Sequence, residues 1–131
     1  MKRVLFVCVE NSCRSQMAEA FAKMYGENAL ESYSAGSRPS GTVNEKAISA
    51  MNEVKYDLKS HFSKSLTQIP DVEYDYAITL GCGDECPNVI AKHKLDWKIP
   101  DPKAMNANNF AQVRELIKNN VLLLMEEIKN G

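Results

Sequence analysis

The stretch Val4-Leu5-Phe6-Val7-Cys8-Val9-Glu10-Asn11-Ser12-Cys13-Arg14-Ser15 decides how the rest of this chain is read. Residues 3–7 form a run rich in apolar and β-branched side chains, which suits a strand buried on both faces of a parallel sheet. The run ends in Cys8. Met17, Ala18, Phe21, Ala22, Met24 and Tyr25 then recur at helical spacing over residues 15–25, with Gly26 as a stop. This order puts a thiol at the mouth of a loop whose backbone N–H groups feed a helix N-terminus. Such a loop is a cradle for a tetrahedral oxyanion. Helix N-termini and cationic neighbours also favour the thiolate form of a cysteine. Strand, loop and helix together read as a device for attacking the central atom of an oxyanion.

Outward from this stretch the pattern repeats. Residues 29–34 read as a second strand closed by Ala35-Gly36, and Val43, Ala47, Ile48, Met51 and Val54 mark a second amphipathic helix. A short helix is expected within 60–69, before Pro70. Tyr74 to Leu80 reads as a third strand, Gly81 to Pro87 as a loop, and Leu95 to Ile99 as a fourth strand stopped by Pro100 and Pro102. Val113, Leu116, Ile117, Val121, Leu124 and Ile128 mark a final helix. Strands alternating with helices predict an α/β fold: an open four-stranded parallel sheet with helices on both faces, as one domain over residues 1–131. Ligands of such sheets sit beyond the carboxyl ends of the strands. Cys8, Cys82 and Asp101 fall at the ends of the first, third and fourth strands, which points to one site.

Bulk composition narrows the function. Apolar residues make up 44% of the chain and charged residues 25%, which is ordinary for a globular protein. A net charge of -1, with no basic run, gives no reason to expect a nucleic-acid or membrane partner. The apolar stretches are too short to span a bilayer, and Met1-Lys2-Arg3 leads into a strand rather than a signal peptide. A cytoplasmic, monomeric protein is therefore expected. In that reducing setting the four cysteines are read as catalytic, redox or metal-binding rather than as structural disulfides.

Each residue of the loop has a physical reading. Cys8 is the nucleophile, and the Arg14 fork can hold two oxygens of the anion. Ser15 can donate to the Cys8 sulfur. Asn11 can bond the loop backbone and hold its left-handed residues. Val9, Glu10, Asn11, Ser12, Cys13 and Arg14 make up the oxyanion-binding set, with Cys13 a structural partner of the loop. Cys8, Cys13, Cys82 and Cys86 have a looser alternative reading as a four-thiolate zinc site, but their spacing is poor and Arg14 would sit beside the metal, so no metal site is expected. His61 and His93 have no convergent partner and read as surface or packing residues. Trp97 reads as core or sheet edge. Asp101, before a proline, has a turn-aspartate reading beside its reading as an acid.

Val7-Cys8-Val9-Glu10-Asn11-Ser12-Cys13-Arg14-Ser15-Gln16-Met17-Ala18-Glu19 resembles the signature of the low-molecular-weight tyrosine phosphatase superfamily. The likeness continues through Tyr33-Ser34-Ala35-Gly36, Ala47-Ile48-Ser49-Ala50-Met51 and Asp101-Pro102. It implies the flavodoxin-like strand order 2-1-3-4. Glu10 stands where these phosphatases usually carry glycine, and its side chain is expected to point to solvent. A second constellation, Leu80-Gly81-Cys82-Gly83-Asp84-Glu85-Cys86-Pro87, is similar to the cysteine pair of thioredoxin-coupled arsenate reductases of the same superfamily.

That second resemblance implies reduction of arsenate to arsenite by a three-cysteine relay, in service of arsenic detoxification. Cys8 attacks arsenate, Asp101 protonates the leaving oxygen, Cys82 attacks Cys8, and Cys86 closes the final disulfide with Cys82. No cofactor is expected to be bound, and the reducing equivalents come from thioredoxin. The spacer between Cys82 and Cys86 is shorter than in the best-known reductases, which leaves glutaredoxin and small thiols open as donors. Some of these reductases bind potassium near the loop, at positions matched by Asn11, Glu19 and Ser34. A further carboxylate of that site falls near Lys64, of the wrong charge, so no potassium requirement is expected. The alternative is a tyrosine phosphatase or small phosphomonoesterase acting through a Cys8 phosphoenzyme. Against it, Asp101-Pro102 leads into Lys103-Ala104-Met105-Asn106, with none of the tyrosines that line an aryl pocket.

Overall fold

The structure, a computed structural model, describes residues 1–26, 28–81 and 89–130. Cys82 and Cys86 lie outside the described residues, so the relay expected of them is not addressed by the fold. Nine elements run in the order β1 (Lys2–Cys8), α1 (Arg14–Tyr25), β2 (Leu30–Gly36), α2 (Glu45–Asn52), two 3-10 turns (Leu58–Ser60 and Leu66–Gln68), β3 (Tyr74–Thr79), β4 (Ala91–Asp96) and α3 (Ala107–Asn130), counted among the described residues. The strands form one parallel sheet in the order β2-β1-β3-β4. The open sheet and its strand order are as the sequence and its resemblance imply.

Alternation along β1 sorts the core. Val4 and Phe6 point to one face, where α1, α2 and α3 bury Met17, Phe21, Met51, Phe110, Ile117 and Val121 against them. Leu5 and Val7 point to the other face, where they meet Ala35, Tyr74, Leu66, Ile69, Val72 and Val89. On this second face the helical cover among the described residues is the single 3-10 turn Leu66–Gln68. The register from Lys2↔Leu30 to Cys8↔Gly36 brings the ends of β1 and β2 level, and Leu80 N–H donates to Val7 C=O at the end of β3. The carboxyl ends of three strands therefore open on one side of the sheet.

Two expectations are corrected. The fourth strand is Ala91–Asp96 rather than 95–99. Its sequence Ala-Lys-His-Lys-Leu-Asp is polar because it is an edge strand, solvent-exposed over most of its length, so apolar content did not mark it. Only Trp97 N–H, donating to Thr79 C=O, carries the ladder further. Trp97 itself packs against Phe6, with ring centroids 5.9 Å apart. The helix expected over 60–69 is instead two 3-10 turns flanking an extended segment, which bridges β2 at Gly36↔Ser65.

Gly36 closes β2 against the loop that follows β1. A Cβ there would lie 2.4 Å from the Val9 oxygen and 2.9 Å from the Asn11 nitrogen, both backbone atoms that cannot turn aside. Gly36→Ala is therefore expected to lower stability in urea unfolding by roughly 1–3 kcal/mol, the usual cost of forcing atoms into a packed site. An unchanged midpoint would mean that the loop is free to move away.

Candidate active site

The loop over residues 9–13 is shaped by where its carbonyls go. Val9 C=O accepts from Arg38 N–H at 2.9 Å, Glu10 C=O from Ser40 N–H and the Ser63 hydroxyl, Asn11 C=O from Gln16 Nε2, Ser12 C=O from Asn44 N–H, and Cys13 C=O from Met17 N–H. Five carbonyls are thus held outward by four different segments. Because peptides are planar and trans, the N–H groups on the same peptides turn toward the concave side. Helix α1 begins at Arg14 with no acidic residue in its first turn and no side-chain cap on its first N–H groups. The result is a ring of donors at a helix N-terminus, a site for an anion. The cavity it encloses, about 490 Å³, is lined by Cys8 to Glu10, Ser12 to Arg14, Arg38, Gly81, Asp101 and Lys103.

Cys8 sits at the base of this cavity, 4% exposed. Its sulfur is 2.8 Å from the Ser15 hydroxyl, which in turn accepts from Asn11 Nδ2 at 2.8 Å. When Cys8 is the thiolate its sulfur can only accept, so the Ser15 hydroxyl, while accepting from Asn11, donates to it. Asn11 has a different backbone part from the one expected. It does not hold other left-handed residues but is itself the left-handed residue of the loop, with φ 50°. Asparagine tolerates that conformation better than most residues. Its side-chain oxygen accepts from Lys64 N–H and Gln16 Nε2.

Arg14 is aimed from behind. Its Nη1 donates to Ile99 C=O at 2.8 Å, while Nη2 lies 4.0 Å from Asp101 Oδ2 at the cavity wall. Gly81 makes this possible. It has φ +79°, and a Cβ there would fall 2.5 Å from the Ile99 oxygen and 2.7 Å from Arg14 Nη1. Asp101 fits both of its readings. Its carboxylate faces the cavity and also closes a turn by accepting from Lys103 N–H at 3.0 Å. Cys13 is buried, and its thiol is pushed up to about 12 by desolvation, then by the charges of Asp101 and Cys8. It stays protonated at neutral pH, in keeping with a structural place in the loop.

Glu10 does not point freely to solvent. Its carboxylate reaches across the cavity mouth to Lys103 Nζ at 2.9 Å. The carboxylate at an anion site is thereby paired, and Glu10 raises the Lys103 ammonium above its ordinary range through that hydrogen bond and its charge.

Behind the loop lies a second polar cluster. Glu19 is 5% exposed and accepts from the Ser34 hydroxyl, with Lys23 Nζ at 2.8 Å and Lys64 Nζ at 3.5 Å. Burial acts to raise the Glu19 carboxyl, but Lys64, Lys23 and Ser34 outweigh it and hold the group below its usual range. The Lys64 ammonium also donates to the Ser34 hydroxyl at 3.2 Å and Phe62 C=O at 3.4 Å. The Lys64 ammonium thus lies between Glu19 and Ser34, while the Asn11 side-chain oxygen meets the Lys64 backbone N–H. Among the described residues no group of three or more His, Cys, Asp or Glu side chains is placed to hold a metal ion; Cys82 and Cys86 of the four-thiolate zinc reading lie outside them.

Three residues of this region were not legible beforehand. Gln16 is fully buried and carries the loop's Asn11 on its amide. His61 is no surface residue: its side chain is 4% exposed and packs with Tyr56 beneath Gln16. The helical spacing of Gln16 is visible in the sequence, but its partners His61 and Phe62 lie more than forty residues away. No helix among the described residues is long and apolar enough to cross a membrane.

The comparisons with known proteins agree with this geometry. A model of the family described as low molecular weight phosphotyrosine protein phosphatase matches residues 3–131. The chain is 37% identical over 131 residues to the glutaredoxin arsenate reductase of Synechocystis sp., covering 98% of this chain and 99% of that one. A solved arsenate reductase in its phosphate-binding state superposes with a TM-score of 0.88 at 38% identity, over 98% and 99% of the two chains. The thioredoxin-dependent arsenate reductase of Corynebacterium glutamicum superposes with a TM-score of 0.79 at 30% identity, over 98% of this chain and 62% of that one. The match along nearly the whole length places the chain in the low molecular weight phosphotyrosine protein phosphatase family.

Proposed function

We propose that the protein is an arsenate reductase. The observation that carries the reading is the cavity over Cys8: its wall is made of charged and small residues, with Arg14 fixed above the sulfur and no aromatic ring among the described lining residues. A phosphotyrosine needs an aryl wall, whereas an inorganic oxyanion needs none. Relatives that match over nearly the full length bear the name arsenate reductase, which supports the same choice. Phosphate and arsenate are the oxyanions the loop is suited to hold.

In the proposed reaction Cys8 sulfur attacks arsenic, and an As–OH group of the arsenate leaves as water after taking one proton from Asp101, the general acid. Arg14 and the loop N–H groups hold the remaining oxygens, and Ser15 supports the sulfur both as attacking and as leaving group. Cys82 thiolate then attacks the Cys8 sulfur. The S–As electron pair passes to arsenic, arsenite departs, and Cys8–Cys82 becomes a disulfide. Cys86 attacks Cys82 and returns Cys8 to its thiolate. The two electrons lost by the cysteine pair are those gained by arsenic. An external dithiol restores the pair. Thioredoxin is the proposed donor, supported by the Corynebacterium structure, while the Synechocystis relative is a glutaredoxin enzyme.

Arsenate-dependent NADPH oxidation, measured in parallel with thioredoxin and with glutaredoxin plus glutathione, is the direct test. Sustained turnover with thioredoxin is expected, with loss in Cys8→Ser, Cys82→Ser and Cys86→Ser. Turnover with glutaredoxin alone would reassign the donor. No turnover with any thiol donor, together with rapid hydrolysis of an aryl phosphate, would overturn the reductase reading.

The Glu10–Lys103 pair gives a second prediction. Lys103→Met leaves the Glu10 carboxylate unpaired at the mouth, so inhibition by phosphate should weaken several-fold. The Glu10→Gln/Lys103→Met double variant should recover, and the single-variant effect should shrink at high salt because exposed charges are screened. A third concerns monovalent cations. With the Lys64 ammonium between Glu19 and Ser34, turnover should be the same in KCl and in NaCl of equal ionic strength. A marked stimulation by potassium would contradict that reading.

A further inference from the structure

Beyond the residues that touch the anion, a run of buried side chains leads away from Cys8, and its direction can be worked out link by link. Lys64 N–H donates to Asn11 Oδ1 at 2.9 Å. A backbone N–H only donates, so this fixes which end of the Asn11 amide is oxygen and turns Nδ2 toward Ser15. The Gln16 amide end that meets Asn11 C=O at 3.0 Å and Phe62 C=O at 2.9 Å faces backbone carbonyls, which only accept. That end is the nitrogen, and it also donates to Asn11 Oδ1 at 2.9 Å. The Gln16 oxygen is therefore the atom 2.9 Å from His61 Nδ1. An oxygen only accepts, so Nδ1 carries the proton of His61. In the neutral ring Nε2 is then bare and accepts from the Tyr56 hydroxyl at 2.6 Å. With Cys8 as the thiolate, which can only accept, every link points the same way, from Tyr56 to His61, Gln16, Asn11, Ser15 and at last the Cys8 sulfur.

We propose that Tyr56 and His61 are positioning residues for Cys8, acting through Gln16 and Asn11 to hold the Ser15 hydroxyl on the sulfur. The amides of Gln16 and Asn11 have no freedom to turn, because each is anchored at one end by backbone and at the other by the next member of the run. Gln16, Asn11 and Ser15 are fully buried, so an amide left without its partner could not turn to water instead. Hydrogen bonds aligned in this way polarise one another, and each strengthens the next. The charged groups around His61 leave the run intact. Glu19 Oε1 is 3.8 Å from Nδ1, farther than the Gln16 oxygen, and Lys23 and Lys64 lie on the Glu19 side. Burial, with those two lysines, lowers His61 against the pull of Glu19 and keeps the ring neutral.

The inference rests on Cys8 as the attacking sulfur but does not need arsenate for its test, so its failure can be told apart from failure of the reductase reading. The measurement is the pH dependence of iodoacetamide alkylation at Cys8, followed on the Cys8 peptide by mass spectrometry so that the other cysteines do not interfere. Weakening the donation to sulfur should raise the pH at which Cys8 reacts. Gln16→Leu is expected to raise the midpoint by about 0.5–1 pH unit, the size of one hydrogen bond. His61→Leu should raise it less, and Tyr56→Phe, which removes a single hydroxyl and keeps the ring, least. His61→Asn keeps an N–H where Nδ1 stands but loses the acceptor that Tyr56 meets, so its midpoint should match that of Tyr56→Phe. Midpoints unchanged in Gln16→Leu, His61→Leu and Tyr56→Phe would overturn the proposal and leave the three as packing residues. If the leucine variants fail to fold, Tyr56→Phe and His61→Asn decide it: midpoints raised alike in both support the run, and any other result refutes it.

Discussion

The outward anchoring of five consecutive carbonyls is the constraint on which the rest of the site depends. A loop that short cannot satisfy its own backbone, and buried peptide groups left without partners are costly. Gln16 and Met17 of α1 hold the Asn11 and Cys13 carbonyls, and residues 38, 40, 44 and 63 hold the other three from farther along the chain. The fold is thus what makes the loop concave. The close approach of Gly36, where any side chain would strike the loop backbone, and the parallel register that brings Cys8 level with it, serve the same end. Anion binding in this architecture is a consequence of backbone bonding, with Arg14 adding the charge.

Charge is handled on both sides of that loop. In front, Glu10 would oppose an incoming anion, and Lys103 neutralises it across the mouth while its own N–H fixes the Asp101 carboxylate. An exposed pair of this kind contributes little to stability, so its consequence is local: it sets the potential that the anion meets. Behind, the buried Glu19 carboxylate is matched by Lys64, Lys23 and the Ser34 hydroxyl. Lys64 serves twice there, since its backbone N–H orients Asn11 while its ammonium meets Glu19.

What the sequence revealed follows from range. The strand–loop–helix frame from Lys2 to Tyr25 is local, and its signals are periodicity and a cysteine at a strand end, so its elements were readable. Cys8, Arg14 and Asp101 line one cavity and Ser15 touches the Cys8 sulfur, although Asp101 lies several residues beyond β4 rather than at its end, and Cys82 is outside the described residues. The edge strand Ala91–Asp96 escaped because solvent on both faces removes the apolar signature that marks a strand. The orientation of Glu10 was unreadable because its partner is ninety-three residues on. Tyr56, His61 and Gln16 were missed for a similar reason. A histidine paired with an amide has no motif, and only the folded chain shows that the amide's other end reaches the loop.

Gly81 joins the two halves of the chemistry. Its left-handed backbone and missing side chain let Arg14 Nη1 reach the Ile99 carbonyl, so the guanidinium that grips the anion rests against the turn leaving β3. Cys82 is the next residue of the chain. Any substituent at Gly81 would press on Arg14 and Ile99 together, and so on the guanidinium at the cavity wall. In the proposed relay the second thiol, Cys82, follows Gly81 directly in the chain, so Arg14 ties the anion site to the residue that precedes that thiol.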